Sequence, residues 1–171
     1  MSDQLSIKVV DAFDLDDELR SLLKPGEMMR DPEGRRHRLP RYFYEIPDHE
    51  AAVSIRLSNH FGLNEFVLTD LKEAPRLQQF PRYVPCAVRV LAFYLEQFRR
   101  EIGASVHIAV NGAYRSPSHK LSPTATPHLC ATAADVSRTG NTILPGPDSR
   151  QTRHAPPPAL SPPPTLPPPR P

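Results

Sequence analysis

Two side chains of metal-binding type lie seven residues apart in the second half of the chain. His128 stands in the stretch TPHLC, and Asp135 ends the stretch ATAAD. Histidine and aspartate are both ordinary zinc ligands, and a catalytic zinc takes three protein ligands and an open water position. The spacing alone leaves two interpretations open: a metal site, or a loop followed by a buried strand.

The remaining histidines and the cysteines are weaker candidates for metal binding. Cys86 and Cys130 are too few for a disulfide framework, and small, mostly buried thiols are expected. A thiolate binds zinc well, so Cys130, two residues after His128, also stays open as a substitute ligand. His37 and His49 lie in polar stretches, where a solvated role is the ordinary one.

The sequence around His128 resembles the zinc D-alanyl-D-alanine carboxypeptidases, metallopeptidase family 15, whose relatives include vancomycin-resistance D,D-peptidases and phage endolysins. The resemblance rests on the Tyr-Arg-Ser-Pro turn at residues 114–117, on Thr126 and His128, and on the small residues that end in Asp135. It covers about residues 55–136.

Two further histidines lie in stretches that take part in this resemblance. The stretch HFGLNEF, residues 60–66, is similar to a His-Phe…Glu-Phe segment of the family. His60 matches a position that is not a metal ligand, which implies a packing role. His119 stands where relatives usually carry Asn, so we interpret it as a loop residue.

The resemblance implies a zinc peptidase site with a peptide substrate. His128 and Asp135 would be the first two zinc ligands, and Thr126 would offer its hydroxyl to the substrate or to a ligand. Arg115 would bind the substrate's carbonyl or terminal carboxylate, for which a guanidinium group is well shaped, and Tyr114 would belong to the same substrate-binding turn. The alternative for Arg115 is a solvated loop arginine. The implied partner is a peptidoglycan stem peptide or a similar D-amino-acid peptide.

The chain departs from the family pattern in the second half of the site. Relatives carry a third zinc ligand, a histidine in a later strand, and a glutamate that acts as general base. No glutamate follows Glu101, and the only histidine after His128 is His154, which has no strand pattern around it. Ala131 stands where relatives commonly have glycine. No catalytic residue is therefore identified, and zinc is expected to bind weakly.

The predicted fold class is α+β, with a small antiparallel sheet and packed helices, of the D,D-carboxypeptidase or hedgehog-like type that the resemblance implies. Hydrophobic periodicity predicts the elements that must position the site. Helices are expected within residues 11–26 and over 84–102, and strands at 53–57, 106–110 and 131–136. The connection between the first helix and the first strand is expected to be extended.

The chain divides into three segments by composition. Residues 1–50 are predicted to hold the N-terminal helix and the extended connection, and residues 51–137 the partial D,D-carboxypeptidase-like domain. Residues 138–171 form a Pro/Arg-rich tail, and twelve of the last 27 residues are proline. Such a sequence buries too little surface to offset its ordering entropy, so disorder or polyproline II is expected there. The C-terminal part of the family fold would then be missing.

Charge and hydropathy exclude some functions and leave localisation unknown. The net charge is +2 and no basic stripe is present, so nucleic acid is not an expected partner. No secretory signal is visible and no stretch approaches the length of a membrane span. A cytoplasmic location follows by default, although the family implies a cell-wall substrate.

Three interpretations of function remain at this stage. The first is a zinc peptidase of the D-Ala-D-Ala carboxypeptidase type, incomplete or weakly active. The second is a non-catalytic module that binds cell-wall peptides. The third is a chain whose native C-terminal half is replaced, after about residue 137, by sequence from another reading frame.

Overall fold

The computed structural model describes residues 7–144, and these form a mixed α+β fold of small antiparallel sheets and helices. The predicted fold class is confirmed at this level. The expected disorder of residues 145–171 lies outside the described residues. Within residues 7–144, no helix is long and apolar enough to cross a membrane.

The described elements follow one another in a fixed order. They are β1 (Lys8–Asp11), α1 (Asp17–Leu23), β2 (Met28–Arg30), β3 (Arg36–Arg38), β4 (Tyr42–Ile46), α2 (His49–Ser54), α3 (Leu63–Val67), α4 (Pro75–Gln78), β5 (Arg82–Pro85), α5 (Val88–Ile102), β6 (Val106–Ile108), β7 (Val136–Thr139) and β8 (Thr142–Ile143), with 3-10 helices at Ala12–Asp14 and Pro127–Cys130.

Two three-stranded antiparallel sheets and one hairpin organise the fold. The first sheet has the order β1-β4-β5, the second has the order β6-β7-β8, and β2 pairs with β3. The connection predicted as extended therefore contains a hairpin and the central strand of a sheet. Since β1 and β4 pair in one sheet with β5, the described part of residues 1–50 is joined to the predicted domain by a shared sheet. Phe43 of β4 is buried in the common core.

The first and the longest helices agree with the sequence prediction, with shorter bounds. α1 begins after Asp16, whose side chain accepts a hydrogen bond from Leu19 N at 2.8 Å, and ends at left-handed Lys24. α5 begins four residues later than predicted, because Val84 lies in β5. It ends at Gly103, whose φ of 61° lies in the left-handed region that glycine adopts readily. The strand predicted at residues 106–110 is present as β6.

The strand predicted at residues 53–57 is wrong, because α2 occupies His49–Ser54. The Asp48 side chain accepts a hydrogen bond from Ala51 N at 2.7 Å and so satisfies a backbone donor of the first turn. This local cap outweighs the alternating pattern, and Ile55 reaches the core from the residue after the helix.

The strand predicted at residues 131–136 is also wrong, because β7 begins only at Val136. The 3-10 helix Pro127–Cys130 ends at Ala131, whose φ of 53° is incompatible with a strand. Strands β7 and β8 extend to residue 143. The tail predicted to start at residue 138 therefore begins with a paired hairpin.

Candidate functional site

The candidate site lies where the loop after β6 meets the residues before β7. Ala109 N donates a hydrogen bond to Asp135 O at 2.9 Å, and Asp135 N donates to Gly112 O at 2.6 Å. A Cβ at Gly112 would lie 2.6 Å from Ala109 O and 2.9 Å from Asp135 O. Only glycine allows this close approach, so Gly112 sets the backbone of Asp135 against the loop.

His128 approaches the same loop from the 3-10 helix Pro127–Cys130. Its Nδ1 lies 2.8 Å from Ala113 O, and Arg115 N donates to His128 O at 3.3 Å. Because a carbonyl only accepts, Nδ1 carries the proton and Nε2 carries the lone pair. This Nε2 lies 3.6 Å from Asp135 Oδ1. The structure thus brings together the two residues that the sequence proposed as zinc ligands.

His128 and Asp135 turn two hydrogen-bond acceptors towards one another. A neutral imidazole presents a lone pair to a carboxylate oxygen here, and two acceptors at 3.6 Å repel one another unless a positive charge joins them. Burial lowers the pKa of His128, and the charge of Arg115 adds to this effect. A proton is therefore a poor source of that charge near neutral pH.

Arg115 is held against the same carboxylate. Its Nη2 forms an ion pair with Asp135 Oδ2, and its Nε donates to Asn111 O at 2.5 Å. The Arg115 side chain is only 12% exposed, so the alternative of a solvated loop arginine is wrong. These two contacts use two of the five N–H donors of the guanidinium group, and the others remain for a ligand.

Tyr114, the neighbouring candidate, is a core residue. Its side chain is buried, and burial raises the pKa of its phenol. Among the described residues its hydroxyl has no hydrogen-bond partner. Tyr114 N donates to Phe66 O at 3.1 Å, which fixes the turn to α3. Tyr114 therefore anchors the turn that carries Arg115 instead of lying exposed beside a substrate.

Thr126 lies on the wall of a pocket of about 410 Å³ next to the 3-10 helix of His128. The pocket is bounded on its other side by Asp31 and His37 of the β2–β3 hairpin. Thr126 Oγ1 is buried and makes no hydrogen bond within residues 7–144. A ligand in this pocket is one group that would satisfy it.

A third metal ligand is not present in the described part of the chain. Residues 7–144 contain no group of three or more His, Cys, Asp or Glu side chains that could hold one ion. Cys130 lines the pocket beside Thr126, and burial raises the pKa of its thiol. A thiol with a raised pKa is a poor zinc ligand, which favours the core role for Cys130.

The remaining histidines have structural partners. His119 is a buried loop residue, with Nδ1 accepting from Leu121 N and Nε2 3.0 Å from Asn111 Oδ1. His60 Nδ1 lies 2.7 Å from Glu96 Oε1, so the ring makes a side-chain hydrogen bond to α5.

Both histidines that the sequence predicts to be solvated are exposed, and each contacts another side chain. His37 is half-exposed, and its Nε2 lies 2.8 Å from Asp31 Oδ2. His49 packs edge-on against Phe80, with ring centroids 4.1 Å apart. Neither lies at the His128 site.

Two residues that build the site are not among the candidates that the sequence predicts. Asn111 has a φ of 58° and buries its side chain, and the Asn-Gly pair at 111–112 is a turn signal that could have identified it. Glu73 is buried and binds Ser116, 43 residues away, for which no local pattern exists.

Comparison of the chain with protein-family models, with curated proteins and with solved structures found no match.

Proposed function

We propose that this chain is a zinc D,D-carboxypeptidase-like protein that binds D-Ala-D-Ala-ended peptides of the peptidoglycan type and hydrolyses them weakly at most. The observation that carries the proposal is the convergence of His128, Asp135 and Arg115. Two candidate zinc ligands and one carboxylate-binding cation meet at one point, in the order of the family motif.

The two candidate ligands fit a zinc ion in their chemistry. Zinc takes imidazole nitrogen and carboxylate oxygen, and a ligating histidine ordinarily donates its other N–H to a carbonyl. His128 has this arrangement, with Nδ1 facing Ala113 O and Nε2 facing Asp135. When bound, zinc would polarise a scissile carbonyl and lower the pKa of its water.

Arg115 supplies the second half of the proposal, recognition of the peptide's C-terminus. A guanidinium group binds a carboxylate with paired hydrogen bonds, and its fork is already fixed by Asn111 O and Asp135. Little conformational entropy remains to be lost when a ligand carboxylate binds to the remaining donors. Thr126 Oγ1 would offer a further contact from the pocket wall.

A non-catalytic peptide-binding module is the second candidate function. It is favoured by the absence of any group of three candidate metal ligands within residues 7–144. Binding through Arg115 needs neither a third ligand nor a general base. The two functions share Arg115 as the group that binds the peptide carboxylate and differ in whether zinc and turnover accompany binding.

Calorimetric zinc titration of the full chain tests the proposal. Two-ligand binding is expected to be weak, and His128→Ala and Asp135→Ala should each abolish it. His107→Ala is the matched control, because His107 lies in β6 and contacts Ser105 and Arg138 instead of the site. Zinc binding that is unchanged in both site variants would refute the metal part of the proposal.

A further inference from the structure

The segment between α3 and α4 holds both ends of the loop that carries Arg115. At one end, Asn111 Oδ1 accepts hydrogen bonds from Thr69 Oγ1 at 2.7 Å and from Asp70 N at 3.1 Å. At the other end, Glu73 binds Ser116. A stretch of five residues therefore fixes a six-residue loop at its first and last positions.

The contact between Glu73 and Ser116 is buried and uses both carboxylate oxygens. Glu73 Oε1 accepts from Ser116 Oγ at 2.7 Å, and Oε2 accepts from Ser116 N at 3.1 Å. Ser116 Oγ in turn accepts from Ser118 N at 3.0 Å, so its hydroxyl both donates and accepts a hydrogen bond. Glu73 is 3% exposed and Ser116 is fully buried. Two charge-assisted hydrogen bonds at one residue fix both its backbone and its side chain.

Arg115 lies directly before this anchored serine. Its guanidinium group reaches back to Asn111 O, the other anchored residue, and on to Asp135. The backbone on both sides of the Arg115 side chain is thus tied to the same outside segment. A shift of Ser116 would move the Arg115 Cα and lengthen the contact to Asn111 O.

We propose that Glu73 is a positioning residue for Arg115: by clamping Ser116 it aims the guanidinium group at the carboxylate of the bound peptide. The peptide part of this inference rests on the proposed function. The positioning part concerns the free protein and is measurable without any ligand.

The Arg115 Nε–H group reports its position directly in a nitrogen–proton NMR spectrum of the full chain. Its signal is assigned as the one lost in Arg115→Lys. Because Nε–H donates to Asn111 O, slow hydrogen exchange is expected in the wild-type protein. Glu73→Gln cannot accept both Ser116 hydrogen bonds, so faster exchange and a shifted signal are expected. Ser116→Ala, which keeps the bond from its N–H, should give a smaller change in the same direction.

Glu96→Gln is the matched control. Glu96 is also 3% exposed and also accepts from a serine hydroxyl, Ser58 Oγ, and from a backbone N–H, His60 N. It lies on α5, and its hydrogen bonds and ion pairs within residues 7–144 are with Ser58, His60, Arg99 and Arg100. Equal effects of Glu73→Gln and Glu96→Gln on the Arg115 signal would overturn the inference, since both would then act through general loosening.

A ligand measurement separates this inference from the proposed function. The probes are N-acetyl-Lys-D-Ala-D-Ala and the same peptide with a C-terminal amide. The wild-type protein should prefer the acid, and Glu73→Gln should weaken acid binding by about tenfold to a hundredfold with little effect on the amide. No preference in the wild type would refute carboxylate binding while the NMR result still decides the positioning. A preserved preference in Glu73→Gln would refute the positioning alone.

Discussion

At the scale of single residues, Asp135 has two tasks, one for each of its carboxylate oxygens. Oδ2 neutralises Arg115, and Oδ1 faces His128. The ion pair with Arg115 holds the carboxylate with its Oδ1 towards His128. Its partner Arg115 is largely buried, so loss of the carboxylate leaves a partly desolvated charge without compensation.

Asp135→Asn is therefore expected to lower the free energy of unfolding by about 1–3 kcal/mol. The control is Asp17→Asn, which removes the exposed ion pair between Asp17 and Arg20 and should cost less than about 1 kcal/mol. Urea denaturation of both variants measures the difference. Equal costs would mean that burial of Arg115 adds nothing to the Asp135 contact.

The buried ring of His119 predicts a pH dependence of stability. Burial lowers the pKa of His119 below its ordinary value, with the charges of Arg115 and Lys72 acting in the same direction. In the unfolded chain this histidine takes up its proton at about pH 6.5, whereas in the folded chain it does so only at lower pH. The contribution of the neutral ring to the free energy of unfolding is therefore fully present above about pH 6.5 and is lost as the pH falls through the folded-state pKa. His119→Gln keeps one acceptor and one donor without titrating.

Chemical denaturation of wild-type and His119→Gln protein between pH 8 and pH 5 measures this effect. The free energies of unfolding of the two proteins should diverge only below about pH 6.5, where that of the wild type falls more steeply. Parallel curves over the whole range would show that other groups carry the dependence. Burial also lowers the pKa of His128, so part of the decline is expected to remain in the variant.

The sequence was informative about single residues where their partners lie nearby and uninformative where they lie far away. His128 and Asp135 are seven residues apart in the chain, and His128 Nε2 lies 3.6 Å from Asp135 Oδ1 in the fold. The partners of Glu73 and Asn111 are about forty residues away, and burial cannot be read from a glutamate or an asparagine alone.

At the scale of elements, a long hydrophobic periodicity predicted its helix correctly, whereas two short alternating patterns predicted strands wrongly. The apolar seam of α5 spans four turns, and a pattern of that length leaves little choice of structure. Residues 53–57 and 131–136 offered only short alternations. In the first case the cap at Asp48 decided for a helix, and in the second the left-handed Ala131 excluded a strand.

Gly112 tests how the loop and the start of β7 are held together. Gly112→Ala places a Cβ within 3 Å of two backbone oxygens, so the loop and Asp135 must separate, at a cost expected to reach about 2 kcal/mol or more. Gly34→Ala is the control, because Gly34 has a positive φ but no atom within 4 Å of the added Cβ, and about 1 kcal/mol is expected. Thermal unfolding measures both, and equal shifts would contradict the close approach.

At the scale of the whole molecule, the N-terminal third contacts the segments that flank the site. Ala125 N donates to Arg30 O at 2.8 Å, and Ser118 Oγ donates to Leu22 O at 3.0 Å. The β2–β3 hairpin thus borders the pocket that also contains Thr126. Composition gave no sign of this, because these contacts join residues that are about one hundred positions apart in the chain.

At the same scale, we expect the full chain to bind the D-Ala-D-Ala peptide without measurable hydrolysis. Hydrolysis needs a base for the zinc-bound water, and its loss typically costs about 10²–10⁴ in rate. No glutamate follows Glu101, and no third metal ligand joins His128 and Asp135 within residues 7–144. With N-acetyl-Lys-D-Ala-D-Ala and excess zinc, the full chain should release D-alanine no faster than His128→Ala does, while it still prefers the acid to the amide peptide in binding. Zinc-dependent release that His128→Ala abolishes would establish an enzyme and would require a base elsewhere in the chain.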